Sequence, residues 1–441
     1  MGVGESPTRR ALGRCPPPNE ARSWASKTSS TSPDAERNSI HARISGECSR
    51  GSTVHFGYSL RMVDTSSMSE ASSNRPRWDV SRLLWHGRQA PWLDGSFSLQ
   101  DGPSIPLRQI AGIAGAIGFL AMIVSAVIAH PIRFQGVGVG DIGLPIVAMR
   151  MLMDGQSPYS LILREGAVTL YPFTTSVVLS PFLLLPVKFW APIFTGLGTG
   201  FLSAGILFKG RPWQLLALVT PCYLSTIHSV QWSPFLAASL LLPFLLPLAT
   251  AKPQIGIVLI LCGRWTSVSV GLASSIVIIS LSVFPNWPLE WISQGNLDLY
   301  LGKSPLTVLP GFLLLSAGIL WRNPRARLVF AMSIVQQRYY YDQLLIFLVP
   351  RSMSQMLFLV SASWGGFFAA WRLHPEVLRA GTQHGDVWSL LMWTLYIPAL
   401  GLVWFNHWTD RRAARDPEGG VGDTAENLGI ADSMRCAQGL R

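Results

Sequence analysis

"IAGIAGAIGFLAMIVSAVIAH", Ile110 to His130, decides the fold. It carries no charge, and a helix needs about 20 mainly apolar residues to cross a bilayer. Gly112, Gly115 and Gly118 recur along it at three-residue spacing. Small residues let helices approach closely in lipid, so this stripe predicts a packing face. Working outward, residues 1–108 are polar and rich in Ser, Arg and Pro. Residues 109–408 are mostly apolar, and residues 409–441 are polar again. The whole chain of 441 residues is 49% hydrophobic and only 13% charged, with a mean hydropathy of +0.32. Soluble domains carry about a quarter charged residues, so that class is excluded. The expectation is an all-α polytopic membrane domain between two polar tails. The first tail has the composition of a disordered segment and no signal-peptide core; a translation start at Met62 or Met68 is the alternative.

The net charge is +11. The positive charge is dispersed through the tails and short loops, with no basic face interleaved with aromatics, which argues against nucleic acid. Basic residues beside spans mark the cytoplasmic side. Both termini then read as cytoplasmic, the span number as even, and the loop from Pro131 to Tyr171 as external. Counting apolar runs gives about ten spans. Lys209 and Arg211 break the rule, because two spans between Pro172 and Phe208 put them outside. The five cysteines are scattered, so neither a zinc site nor a disulfide framework is expected.

"GVGVGDIGLPIVAMRMLMDGQSPY", Gly136 to Tyr159, follows the first span. Asp141 is either a loop carboxylate, an N-cap, or a catalytic acid or base. Beyond it, Ile146, Met149, Leu152 and Met153 share one helical face, and Arg150 and Asp154 stand at (i, i+4) on another. Gly155 ends that helix, which lies on the membrane as a short amphipathic element of the external loop. In "LYPFTTSVVLSPFLLLP", Leu170 to Pro186, Tyr171 sits at the water–lipid boundary. Gln231 in "SVQWSPFLAASLLL" and Lys252 in "AKPQIGIVLIL" are polar groups among apolar runs, which need partners. For Lys252 the readings are an anionic partner, a phosphate among them, or snorkelling. "QQRYYYDQLLIF", Gln336 to Phe347, holds Arg338, Tyr341 and Asp342, either as an aromatic belt with a local Arg–Asp pair or as a sugar-binding edge. "FPNWPLEWISQGNLDLYLGKSP", Phe284 to Pro305, predicts a piece lying along the interface.

In this order, these pieces resemble the integral-membrane glycosyltransferases of the C superfamily (GT-C). Within it they are most similar to the polyprenol-phosphate-mannose-dependent mannosyltransferases, over about Asp141 to Pro350. Four departures stand out. Phe173 replaces the second proline of Tyr-Pro-Pro. Val230 replaces the glycine before Gln231, Ser233 an asparagine, and Tyr340–Asp342 a Trp-x-x-Tyr element. The resemblance implies Asp141 as general base at the external face, taking a proton from an acceptor hydroxyl. It implies substrate contacts at Arg150, Tyr159, Tyr171, Gln231, Lys252, Arg338, Tyr341 and Asp342, with Lys252 or Arg338 facing the leaving phosphate. The donor would be a polyprenyl-phosphate sugar, mannose by analogy. The acceptor would be a glycolipid or glycan, with no nucleotide, no other cofactor and no required metal. A transporter or flippase for lipid-linked substrates is the competing expectation, weakened by the lack of an internal repeat. An inactive member of the family is a third.

Overall fold

The computed structural model describes residues 105–128, 133–134, 137–138, 140–159, 171–293, 303–337, 340–373 and 385–415. The expectations for residues 1–104 and 416–441, and for Arg338, lie outside them. The described chain is helical apart from a minimal hairpin, β1 (Arg133–Phe134) and β2 (Val137–Gly138). The helices are α1 (Leu107–Ile128), α2 (Gly143–Met153), α3 (Phe173–Leu179), α4 (Trp190–Phe208), α5 (Pro221–Ser229), α6 (Ser233–Leu241) and α7 (Pro253–Cys262). There follow α8 (Ser267–Val283), α9 (Trp287–Ser293), α10 (Ser316–Ile319), α11 (Pro324–Ile334), α12 (Met353–Leu373), α13 (Gly385–Leu391) and α14 (Ile397–Arg415). Short 3-10 segments join several of them.

Four helical stretches are long and apolar enough to cross a membrane: Leu107–Ile128, Val187–Phe208, Met353–Leu373 and Val387–Arg415. A fifth forms if α8 and α9, bent by 86° at their junction, count as one. Ten spans are not what the described residues show. Proline is the physical reason: it removes a backbone donor and clashes with the preceding turn. Pro181, Pro212, Pro221, Pro234, Pro243, Pro247 and Pro253 cut the apolar runs into pieces.

The burial pattern is that of lipid, not water. On α1 the buried positions are Ile110, Ala114, Gly118, Ala121 and Ser125, while Phe119, Leu120 and Ile123 face outward. On α8 the only buried residues are Ser269 and Ser280, and Ile278 and Val270 are exposed. Large apolar side chains outside and small or hydroxyl side chains inside is the arrangement bilayers favour. At the centre every residue of α6 is buried, as is every residue of the 3-10 segment Tyr341–Leu348.

α1 and α4 lie antiparallel and close. The Ser125 hydroxyl donates to Thr195 Oγ1 at 3.1 Å, near the end of α1 and the start of α4. A Cβ on Gly118 would stand 2.7 Å from the Gly196 carbonyl oxygen and 3.2 Å from Gly200 Cα. Gly112 and Gly115 face open space, so of the three-glycine stripe only Gly118 packs. This pairing bears on the Lys209 anomaly. The run Phe173–Leu184 is a short helix followed by a 3-10 turn, too short to pass the length test for a span that α4 passes. Lys209 and Arg211 follow the end of α4 that lies toward the start of α1 at Leu107.

Candidate active site

Asp141 stands in a 3-10 turn, Gly140–Ile142, just before α2. It does not cap that helix: Ile142 occupies the N-cap, without a side-chain bond. Its carboxylate is half-buried and is held from two directions. The Tyr171 hydroxyl donates to Oδ2 at 3.3 Å, and the Gln231 amide nitrogen donates to the same oxygen. Both donors converge on Oδ2, and among the described residues no donor reaches Oδ1.

Two left-handed residues make this meeting possible. Gly140 has φ +64° and Val230 has φ +52°. A Cβ on Gly140 would come within 2.7 Å of the Val230 side chain and 2.8 Å of the Ser229 carbonyl. The turn before Asp141 thus presses directly on the turn before Gln231. A β-branched residue in this region is strained. Val230 is the position where the GT-C resemblance leads one to expect glycine, and the backbone here has the conformation glycine favours. Val230 ends α5 as a left-handed C-cap, which turns the chain so that Gln231, Trp232 and Ser233 face inward, all 3% exposed or less. Gln231 Oε1, Trp232 Nε1 and Ser233 Oγ are buried with no hydrogen-bond partner.

Lys252 and Asp342 meet. Lys252 Nζ lies 2.5 Å from Asp342 Oδ1, with side-chain exposures of 3% and 0%, and 5.0 Å from the centre of the Tyr341 ring. Lys252 does not snorkel, and its charge is already balanced within the protein. Asp342 thus pairs across the fold with Lys252; the local pair expected with Arg338 lies outside the described residues. A buried pair of this kind is costly to break, because the survivor is left as an uncompensated charge. Backbone ties link it to the Tyr171 segment: the Thr174 hydroxyl donates to the Thr250 carbonyl and the Thr175 hydroxyl to the Ala251 carbonyl, each at 2.6 Å.

Arg150 forms no salt bridge with Asp154. Its guanidinium lies 4.8 Å over the Trp190 ring, a cation–π contact. The buried face of α2 is Ile146, Val147, Ala148 and Met151, not the expected one, and Met153 is 73% exposed. Gly155 does end the helix, at φ +72°. Tyr159 is buried, donates to the Tyr171 carbonyl at 3.5 Å and stacks on Phe284 at 6.0 Å. Burial, and then the charge of Glu290, raise its hydroxyl above its usual range. Glu290 on α9 accepts from the Ser157 hydroxyl at 2.7 Å. Ser157, Glu290, Phe284, Thr174 and Thr175 all shape this region, and single-sequence reading overlooked them. The sequence placed Phe284–Pro305 along the interface and did not bring it to this region.

Among the described residues no group of three or more His, Cys, Asp or Glu side chains could hold a metal. Comparisons with protein-family models, curated proteins and solved structures give no match for this chain.

Proposed function

We propose that the protein is a lipid-linked sugar transferase. Asp141 removes a proton from an acceptor hydroxyl as that oxygen attacks the anomeric carbon of a polyprenyl-phosphate sugar, mannose on the GT-C resemblance. The bond from that carbon to the phosphate oxygen breaks, and the polyprenyl phosphate leaves as an anion without needing an acid. The observation that carries this reading is the one-sided grip on Asp141. Tyr171 and Gln231 fix Oδ2, so Oδ1 can accept a proton in a set orientation. The unpartnered polar atoms of Gln231, Trp232 and Ser233 offer hydrogen bonds of the kind sugar hydroxyls use. Lys252 supports the site as half of an internal pair, not as the phosphate's counter-charge.

In this reading the Asp141 end is external and both tails are cytoplasmic. The clustering of basic loops at the opposite end favours that orientation. The ten-span arrangement belongs to the same reading, with short apolar pieces stacked in pairs. Radiolabelled polyprenyl-phosphate sugars, incubated with the purified protein and membrane lipids, should yield a labelled product. In Asp141→Asn the rate should fall by about 10²–10⁴-fold, the usual contribution of general-base assistance, with the fold retained. A flippase would move labelled lipid across vesicles and be indifferent to this substitution; that outcome would replace the proposal.

A further inference from the structure

Position 230 adopts a conformation that does not suit valine. At φ +52° and ψ +62° the backbone is left-handed, where a β-branched side chain is strained and glycine is not. Val230 closes α5 through a Schellman arrangement. The Val230 N–H donates to the Ile227 carbonyl at 3.3 Å, and the Gln231 N–H donates to the Thr226 carbonyl at 3.0 Å. Glycine ordinarily supplies the left-handed residue of that motif. It would form the same turn and the same two bonds at no steric cost. What valine adds is its side chain.

That side chain is fully buried and faces Gly140. A Cβ on Gly140 would lie 2.7 Å from both Cβ and Cγ2 of Val230, and 2.8 Å from the Ser229 carbonyl oxygen. Gly140, itself left-handed at φ +64°, leaves the gap that the valine occupies. The residues next in sequence share a hydrogen bond. Asp141 follows Gly140, Gln231 follows Val230, and the Gln231 amide nitrogen donates to Asp141 Oδ2. The same nitrogen donates to the Ser229 carbonyl at 3.4 Å, so the amide is tied to the turn that presses on Gly140. Strained backbone of this kind persists only where its surroundings over-determine it, and it gathers at functional sites.

We propose, building on the Asp141 reading, that Val230 is a positioning residue for Asp141. Its left-handed turn aims the Gln231 amide, and its side chain braces the Gly140 turn. Carboxylate and donor are thereby held in one mutual orientation, with Oδ1 left toward the acceptor hydroxyl.

The test makes two measurements on the purified full chain in detergent: transfer of label from a polyprenyl-phosphate sugar, and amide hydrogen exchange read by mass spectrometry. Val230→Gly keeps the turn, relieves the strain and deletes the brace. Its kcat should fall about 10–10²-fold, the scale of loss when a catalytic group is slightly displaced, with KM for the donor little changed. Exchange over residues 140–146 should quicken, while exchange in α14 stays at the parent's rate and reports an intact bundle. Val230→Thr keeps the branched outline and should stay within a few-fold of the parent in kcat, with exchange over 140–146 at the parent's rate. Parental kcat in Val230→Gly, a Val230→Thr as slow as Val230→Gly, or unmoved exchange over 140–146 in Val230→Gly would each overturn the assignment. Asp141→Asn keeps the two failures apart. If the parent transfers no label, or Asp141→Asn transfers as fast as the parent, the catalytic reading is lost. The exchange rates then still decide by themselves whether Val230 braces the Asp141 turn.

Discussion

The carboxylates of Asp141 and Asp342 were both legible in the sequence as acids in apolar surroundings, yet their environments separate them. Asp141 is half-buried, hydrogen-bonded on one oxygen by neutral donors. Asp342 is sealed against Lys252. The separation was not legible because it depends on contacts spanning ninety residues of chain, and no local pattern records them. The Lys252–Asp342 pair carries a prediction of its own. Lys252→Met deprives the buried Asp342 carboxylate of its Lys252 partner and should cost about 3–5 kcal/mol, whereas K252M/D342L, with an apolar pair of similar volume, should recover most of the loss. The measurement is thermal unfolding of the purified variants in one detergent. A double variant as unstable as the single would show that something other than pairing holds these residues. Gln231 illustrates a different gap: its polarity among apolar neighbours flagged it, but its aim at Asp141 follows from the left-handed Val230. Propensity would not place a β-branched residue there.

At the scale of elements, length and apolarity located α1, α4, α12 and α14, because twenty uninterrupted apolar residues have few alternatives to a span. The middle of the chain is less legible for the opposite reason. Between Pro172 and Cys262 apolar runs are frequent, but prolines stop them short of a bilayer's thickness, and hydropathy does not register where a donor is missing. The glycine stripe of α1 shows how far periodicity reaches. Gly112, Gly115 and Gly118 look equivalent in sequence, yet only Gly118 meets the backbone of α4. Gly118→Val should therefore destabilise by about 1–3 kcal/mol through overpacking, since the obstructing atoms are main chain and cannot rotate away. Gly115→Val should be nearly silent, its neighbourhood being open. Paired melting curves decide the matter, and equal losses at the two sites would contradict the α1–α4 contact.

Viewed whole, the described part of the molecule is polarised, with the Asp141 turn at one end and partly buried cations at the other, and that polarity has a pH signature. Burial first, and then Arg211 and Arg264, pull the Lys209 ammonium down from 10.5 to about 8. Burial with Arg211 and Arg351 pulls Arg325 down from 12.5 to about 9. Each group holds its proton less firmly folded than unfolded. Below about 8 both are charged in either state and their full cost is present. As pH rises through that value, the folded chain sheds protons that the unfolded chain still keeps, so stability increases with pH. The gain continues toward 10.5, where unfolded lysine itself deprotonates. Tyr159 opposes it only above 10.0, because its raised hydroxyl means the unfolded chain ionises first. The Cys222 and Cys262 thiols, which burial raises from 9.0 to about 12, ionise first in the unfolded chain and oppose the gain above about 9, so in neutral, phosphate-free detergent the unfolding midpoint should climb from about pH 8 to about 9, and Lys209→Met should flatten the climb. Added salt should shrink it, since exposed members of the cluster are screened. A midpoint that falls across this interval, or a slope untouched by Lys209→Met, would mean that the repulsion is not felt by the folded chain.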